Sequence, residues 1–546
     1  MMIRCTVKAP VLVTLVLVST VLMQVTPGAG QWAGQPVNRR PVLQPVEVPV
    51  QQLNTRPVQR VAQAPVGTPQ APAGPRPFVY NPASAAVTEL ARFIGRILGQ
   101  KNKAAVFSPV SIASALSLLL IGANRETKQE LIRVLGFQRY SNNLDTIHQL
   151  YSDMLNDLAR TEFSLTPPRW RTSNPCYDDD DDDGGDEGEG YPKPTKDTVR
   201  VTNAVFVREG LRLSDNFLWS TGRYYNSTAA NVPFASDPDR AAQYINAWAD
   251  RSTEGKIRDI VSAQVAAESE MIVASALYFK GLWSEPFEKQ ATEMKPFYTD
   301  GHERPSKQVP TMITVGCFPY YDAQKYDAKV IGLSYQGNQS ALYILMPNNS
   351  TRSRMIEFQA NLTPAMIGEM VQSMTMRKMY LQLPKMSITN TINLRDVLQQ
   401  LGVRTLFNRG QSDLSEMVAR PTPIDLFATR LDADSSGSFV FPLDNADPEP
   451  TDSRRRGSDS LNINVESAVG QDTRVPQSQL HVSEFIHRVE LDINEKGTEG
   501  GAITTSTVFR ALPSIHVRID APFLLLLGHD ETRLPLFYGS IFDPTP

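Results

Sequence analysis

A glycine-bearing run, Glu495-Lys496-Gly497-Thr498-Glu499-Gly500-Gly501-Ala502, passes directly into the strand formers Ile503-Thr504-Thr505-Ser506-Thr507-Val508. The glycines give a backbone hinge, and the β-branched residues behind them favour extended chain. As a strand, the segment would carry Thr498, Gly500, Ala502, Thr504, Ser506 and Val508 on one face by the two-residue alternation. That face is small enough to enter a packed sheet, where a bulky or charged side chain would be rejected. The opposite face, with Ile503, Thr505, Thr507 and Phe509, is less restricted.

Outward from this run the chain mixes both periodicities. Helical spacing joins Ile112, Ala115, Leu116 and Leu119, and again Ile147, Leu150, Met154, Leu155 and Leu158, which predicts amphipathic helices. Residues 199–207, 270–279, 340–346, 379–383 and 521–527 read as strands, rich in β-branched, leucine and aromatic residues. With 546 residues, 41% of them hydrophobic, the chain can bury a large core, and an α+β domain with mostly antiparallel sheets is expected.

Several stretches depart from this pattern. Arg4 and Lys8, an apolar run from Val11 to Met23 and small residues near Gly28 predict a secretory signal over residues 1–30. The apolar run is shorter than the ~20 residues needed to cross a bilayer, so no membrane partner is expected. A Pro/Gln-rich tail over 31–84 is read as a spacer, with a docking arm as the alternative. The domain over 85–546 carries expected disordered insertions at about 166–198 and 420–479. The first holds the acidic run Asp178 to Asp183 beside Tyr177, open to capture of a basic protease patch or to a merely solvated role. The second holds Arg454, Arg455 and Arg456. Sequons at Asn226, Asn338, Asn349 and Asn361 agree with secretion to the extracellular space.

Composition excludes other classes. Fifty-eight acids against 54 bases leave no field that would draw nucleic acid. Only six histidines exist, and His481 and His487 stand six apart without a zinc-protease glutamate, so no metal and no cofactor are expected. A Gly-x-Ser-x-Gly elbow and a phosphate-binding glycine loop are both missing, which argues against an enzyme. Cys176 and Cys317 lie far apart in sequence, and no disulfide framework is expected; a link from Cys176 to a second chain stays open.

The hinge resembles that of inhibitory serpins, and the likeness spans residues 85–546 apart from the insertions. Phe107, Ser108, Pro109, Ser111 and Ile112 resemble the family's early helix region, and Ala276, Leu277, Tyr278, Phe279, Lys280, Gly281 and Trp283 its central strand motif. Asn246, Trp248, Thr253 and Gly255 match further, as do Leu383, Pro384 and Lys385, and finally Pro522, Phe523, Phe537 and Gly539 in the closing strands. The resemblance implies a shutter of Ser108, Ser111, Ser275 and His487 where the main sheet opens, with Ser275 standing where the family usually has Asn.

What the resemblance implies is a bait loop attacked by a serine protease, an acyl-enzyme, and insertion of the loop into the sheet as a new strand. Serpin loop insertion is a standing example of strand addition and released strain. The partner would be the target protease, held covalently by a monomeric inhibitor. Two scissile bonds stay open: family spacing points to Ala511-Leu512, and a loop one residue shorter to Arg510-Ala511. Residue chemistry favours Arg510, because a trypsin-like pocket carboxylate demands a cation. The competing class is a non-inhibitory member acting as carrier, chaperone or storage protein, which a charged or bulky hinge would signal.

Overall fold

The computed structural model describes residues 81–100, 102–159, 168–172, 176, 197–419, 480–498 and 513–545. Residues 1–80, most of the acidic insertion, all of 420–479, and Glu499 to Leu512 lie outside the described residues; these include Gly500, Gly501, Ala502, Arg510 and Ala511.

Two mixed sheets organise the chain. The first is six-stranded, in the order β2 (Thr228–Val232), β1 (Thr198–Arg208), β3 (Met271–Leu282), β11 (Gly497–Thr498), β10 (Glu484–Asn494), β9 (Met386–Asn393). The second runs β12 (Ile515–Arg518), β8 (Thr375–Pro384), β5 (Lys307–Ala323), β6 (Ala328–Ser334), β7 (Ser340–Pro347), β13 (Phe523–His529), β14 (Leu534–Ile541), with β4 (Glu293–Phe297) on β5. All five strand stretches read from sequence fall within β1, β3, β7, β8 and β13, with shifts of a few residues at their ends. Most pairs are antiparallel, as expected; β1 with β2, β3 with β10 and β8 with β12 are parallel.

The helices are α1 (Pro82–Leu98), α2 (Pro109–Gly122), α3 (Arg125–Val134), α4 (Leu144–Ala159), α5 (Arg169–Thr172), α6 (Asp215–Tyr225), α7 (Pro238–Ser252) and α8 (Ala263–Ala267), then α9 (Arg352–Asn361), α10 (Pro364–Gln372) and α11 (Arg395–Gln400). Strand alternation sorts β1 cleanly: Ala204 and Phe206 join Ile245 and Trp248 of α7, while Val205 and Val207 face the main core on the other side. Phe206 meets Trp248 edge to face, centroids 5.7 Å apart.

Three expectations need correction. The periodicity around Ile112 predicts an amphipathic helix, yet α2 is buried on nearly every side, because it packs against β1, β3 and β14. Ser111 and Ser117 survive burial by bonding inward, Ser117 to the Tyr225 hydroxyl at 2.5 Å. Second, the stretch expected to be disordered from about 166 contains α5. Trp170 is buried and Arg171 forms a buried ion pair with Asp530 at 2.5 Å, while its guanidinium also donates to Ser340 O at 2.9 Å. Third, Cys176 and Cys317 are disulfide-bonded, Cα atoms 6.3 Å apart, so Cys176 pairs within the chain. The tail boundary also shifts slightly: Asn81 caps α1, its side chain accepting from Ala83 N at 2.8 Å.

Candidate functional site

The site lies along the seam between β3 and β10. In its lower part the two strands pair directly and in parallel, Glu484 through Val489 opposite Ile272 through Leu277. Farther up they diverge and admit a third strand. The chain turns after β10, and β11 pairs antiparallel with both neighbours: Gly497 with Asn494 and Leu282, Thr498 with Ile493 and Gly281.

Small side chains make this seating possible. Gly497 has φ +153°, and a Cβ there would stand 2.2 Å from Gly281 O. Gly281 is equally confined: a Cβ on it would meet the Tyr335 ring at 2.7 Å. Thr498 is 1% exposed, its hydroxyl 2.8 Å from that of Tyr335. Tyr335 stacks on Trp283 with centroids 4.4 Å apart, and Trp283 donates from Nε1 to Asn494 O at 2.9 Å. Glu495 is clamped by Lys385 at 2.9 Å and the Thr292 hydroxyl at 2.9 Å. Burial opposes its ionisation, but these two partners hold its carboxyl below the ordinary range. The first residues of the hinge are thus a built strand end.

The four residues expected to form the shutter come together in the lower seam. His487 on β10 lies opposite Ser275 on β3, and both are buried. Ser108 caps α2 through its hydroxyl, while its backbone N–H donates to His487 Nε2 at 2.9 Å. That bond fixes the tautomer: Nε2 accepts, so Nδ1 carries the proton and faces the Ser275 hydroxyl at 3.3 Å. Ser275 and Ser111 hydroxyls are 2.6 Å apart, and Ser111 donates onward to Ala276 O at 3.0 Å. Each hydrogen therefore has one acceptor in a chain from Ser108 to Ala276. Burial pushes the imidazole down to about 3, so it is neutral at pH 7.

Sequence reasoning missed Asn203 and Tyr335. Asn203 on β1 lies opposite Ser275; turned so that its nitrogen faces inward, its amide donates to Ser275 Oγ at 3.1 Å and Ser111 O at 3.2 Å. An amide thus stands beside the serine that replaces the family's asparagine. The four sequon asparagines are all exposed, Asn226 at the end of α6 and Asn361 at the end of α9. Asn338 Oδ1 accepts from Arg171 at 3.1 Å. No group of metal-ligating side chains occurs among the described residues, and no helix among them is long and apolar enough to cross a membrane.

The six-stranded mixed sheet, with β11 seated between β3 and β10, and the second mixed sheet beside it define an α+β domain of one family. The chain belongs to the serpin family, whose model, described as serine protease inhibitor, matches residues 86–544. Serine protease inhibitor 28Dc of Drosophila melanogaster is 30% identical over 82% of this chain and 77% of its own length. Serpin A3-3 of Bos taurus is 26% identical over 82% and 85%. Among solved structures, human thyroxine-binding globulin complexed with thyroxine has a TM-score of 0.62 at 20% identity, covering 85% of this chain and 99% of that one. Native protease nexin-1 with heparin has a TM-score of 0.59 at 20% identity, covering 85% and 99%. These structural likenesses establish the fold, which is the α+β serpin fold.

Proposed function

We propose that this chain is a secreted, glycosylated inhibitor that traps a serine protease with trypsin-like specificity. The observation that carries the reading is the seating of Gly497 and Thr498 between β3 and β10. The target's serine oxygen attacks the carbonyl carbon of Arg510, or of Ala511 in the alternative register, forming an ester as the peptide C–N bond breaks. The released amine takes a proton and leaves with the C-terminal portion. The hinge from Glu495 through Ala502 then feeds the freed strand down the seam, and insertion that outruns hydrolysis of the ester holds the protease covalently. Each step of insertion replaces a parallel β3–β10 contact by two antiparallel ones, the more stable pairing per residue. The chain supplies bait rather than catalysis.

The test mixes the purified chain with trypsin-like, elastase-like and chymotrypsin-like serine proteases. A complex that survives denaturation, with a released peptide beginning at Ala511 or Leu512, is the expected result and identifies the bond. Cleavage in the loop without a complex, across all three, would overturn the reading.

One feature favours a second reading, that of a carrier. A cavity of about 530 Å³ lies among α1, α10, β13 and β14, lined by apolar residues including Ile367, Val371, Leu526 and Leu534. His529, 1% exposed, lines it with Nε2 unpartnered. A small apolar ligand with one polar group would suit it. Binding of an apolar fluorophore lost in Leu526→Arg, together with loop cleavage that gives no covalent complex, would establish this role instead.

A further inference from the structure

Phe78, Val79 and Tyr80 stand immediately before Asn81, the residue that caps α1. They close a Pro/Gln-rich stretch in which no aromatic side chain occurs after Trp32. Two rings and a branched aliphatic side chain in succession form an apolar cluster, for which burial is favoured over water.

The apolar cavity of about 530 Å³ begins one helical turn beyond that cap. Ala85 and Thr88 of α1 line one side, Gly368 and Val371 of α10 another, and Leu526 of β13 a third. Asn81 to Ala85 is about 6 Å along the helix axis. Three extended residues span about 10 Å, so the cluster reaches the groove with no further chain. A Cβ on Gly368 would meet no neighbouring atom within 4 Å. Glycine inside a helix gives up helix propensity, and here it leaves the α10 side open to the close approach of another chain segment.

His529 supplies a directional group. It is 1% exposed and lines the same groove. Its Nδ1 accepts from Thr532 N at 3.3 Å, so in the neutral ring the proton sits on Nε2. Burial keeps the ring neutral at pH 7 by pushing it down to about 4. The buried Nε2 has no partner among the described residues. A buried N–H demands an acceptor, and the main-chain carbonyls of a peptide segment offer one at every residue.

We propose that Phe78, Val79 and Tyr80 dock in this groove, the rings against its apolar walls and a main-chain carbonyl of the segment accepting from His529 Nε2. A free small ligand competes poorly with such an occupant, because a segment tethered this closely has an effective concentration in the millimolar range. Pro77, directly before Phe78, lowers the conformational freedom lost on docking. Docking ties the start of α1 to α10 and β13 and fills the space that a carrier would need.

The test compares the full chain with its Phe78→Asp/Tyr80→Asp variant by hydrogen exchange and by titration with an apolar fluorophore. In the parent, the amides of residues 78–80 are expected to exchange about tenfold or more below the rate of unstructured chain, and both they and α10 should lose protection in the variant. The fluorophore should bind the variant at least about tenfold more tightly than the parent, and adding Gly368→Arg to the variant should abolish that binding. If neither form binds it, exchange alone decides. Covalent trapping of a protease should be equal in both forms, so failure here and failure of the trapping reading are separately visible. Exchange of residues 78–80 at the unstructured rate in the parent, or measurable fluorophore binding of equal strength in parent and variant, would overturn the proposal; the second result would give the groove to a free apolar ligand.

Discussion

The upper and lower parts of the β3–β10 seam use the same two strands to opposite ends. Above, the strands part around Gly497 and Thr498, which are held by backbone pairing to both strands and by the close fit of Gly497 and Gly281, the Tyr335 and Thr498 hydroxyls, and Trp283. Below, the strands pair directly, and a chain of single-acceptor hydrogen bonds through His487, Ser275 and Ser111 joins them to α2. In the proposed mechanism, the upper seam is where the strand starts and the lower seam is what its insertion would open. A strand inserted there would have to separate His487 from Ser275, which pair across the seam, so on the proposed mechanism the lower cluster sets the resistance.

The largest expected break in this comparison is Thr498→Arg. A cation forced into a site 1% exposed would lack a partner, so the strand end would leave the sheet. Inhibition should fall on the order of 100-fold, while cleavage of the loop continues, read as the amount of inhibitor consumed per protease inactivated. His487→Ala attacks the other region: it orphans the Ser108 N–H and opens a cavity, which should cost ~3 kcal/mol in denaturant unfolding. Gly497→Ala should cost roughly 2 kcal/mol, because the added carbon meets Gly281 O at 2.2 Å in a backbone region that side chains avoid.

Acid should weaken the lower seam before the upper one. His487 is held down to about 3 by burial, and His148 and His529 to about 4, so an unfolded chain binds protons that the folded one refuses. Stability is therefore full above the ordinary imidazole value of 6.5 and falls as pH drops toward about 4. The loss is ~1.4 kcal/mol per pH unit for each group. Asp197, pushed up to about 7 by burial, runs the other way and offsets one of the three. Unfolding followed from pH 7 to 4 checks this, and His487→Gln should flatten the curve by one group. The smallest effect belongs to Tyr335→Phe, which leaves Thr498 Oγ1 without its partner at a cost of about 1 kcal/mol.

The two regions also differ in how far they could be read from sequence. Small residues after Glu495 announce a strand that must fit a packed sheet, and the strand end at Gly497 and Thr498 agrees with that reading. Ser108, Ser111, Ser275 and His487 were found through motif likeness, since residues 108 and 487 meet across 379 positions with no periodic signal. Tyr335 stands in the turn between β6 and β7, where nothing local marks a partner of Thr498, 163 residues away. Asn203 is hidden for the same reason, one polar residue in an apolar strand until β1 is set against β3. Arg171, within a stretch rich in turn formers, reads as loop, yet Asp530 lies 359 residues on and binds it in a buried pair. Such contacts are set by topology, which composition and spacing do not encode.

The most direct test of strand acceptance is thermal unfolding before and after a single cut in the loop between Phe509 and Pro513 by a protease that forms no complex. Insertion of the freed strand into the β3–β10 seam predicts a large rise in melting temperature, absent in Thr498→Arg. An unchanged or lowered melting temperature in the cleaved parent chain would contradict the account.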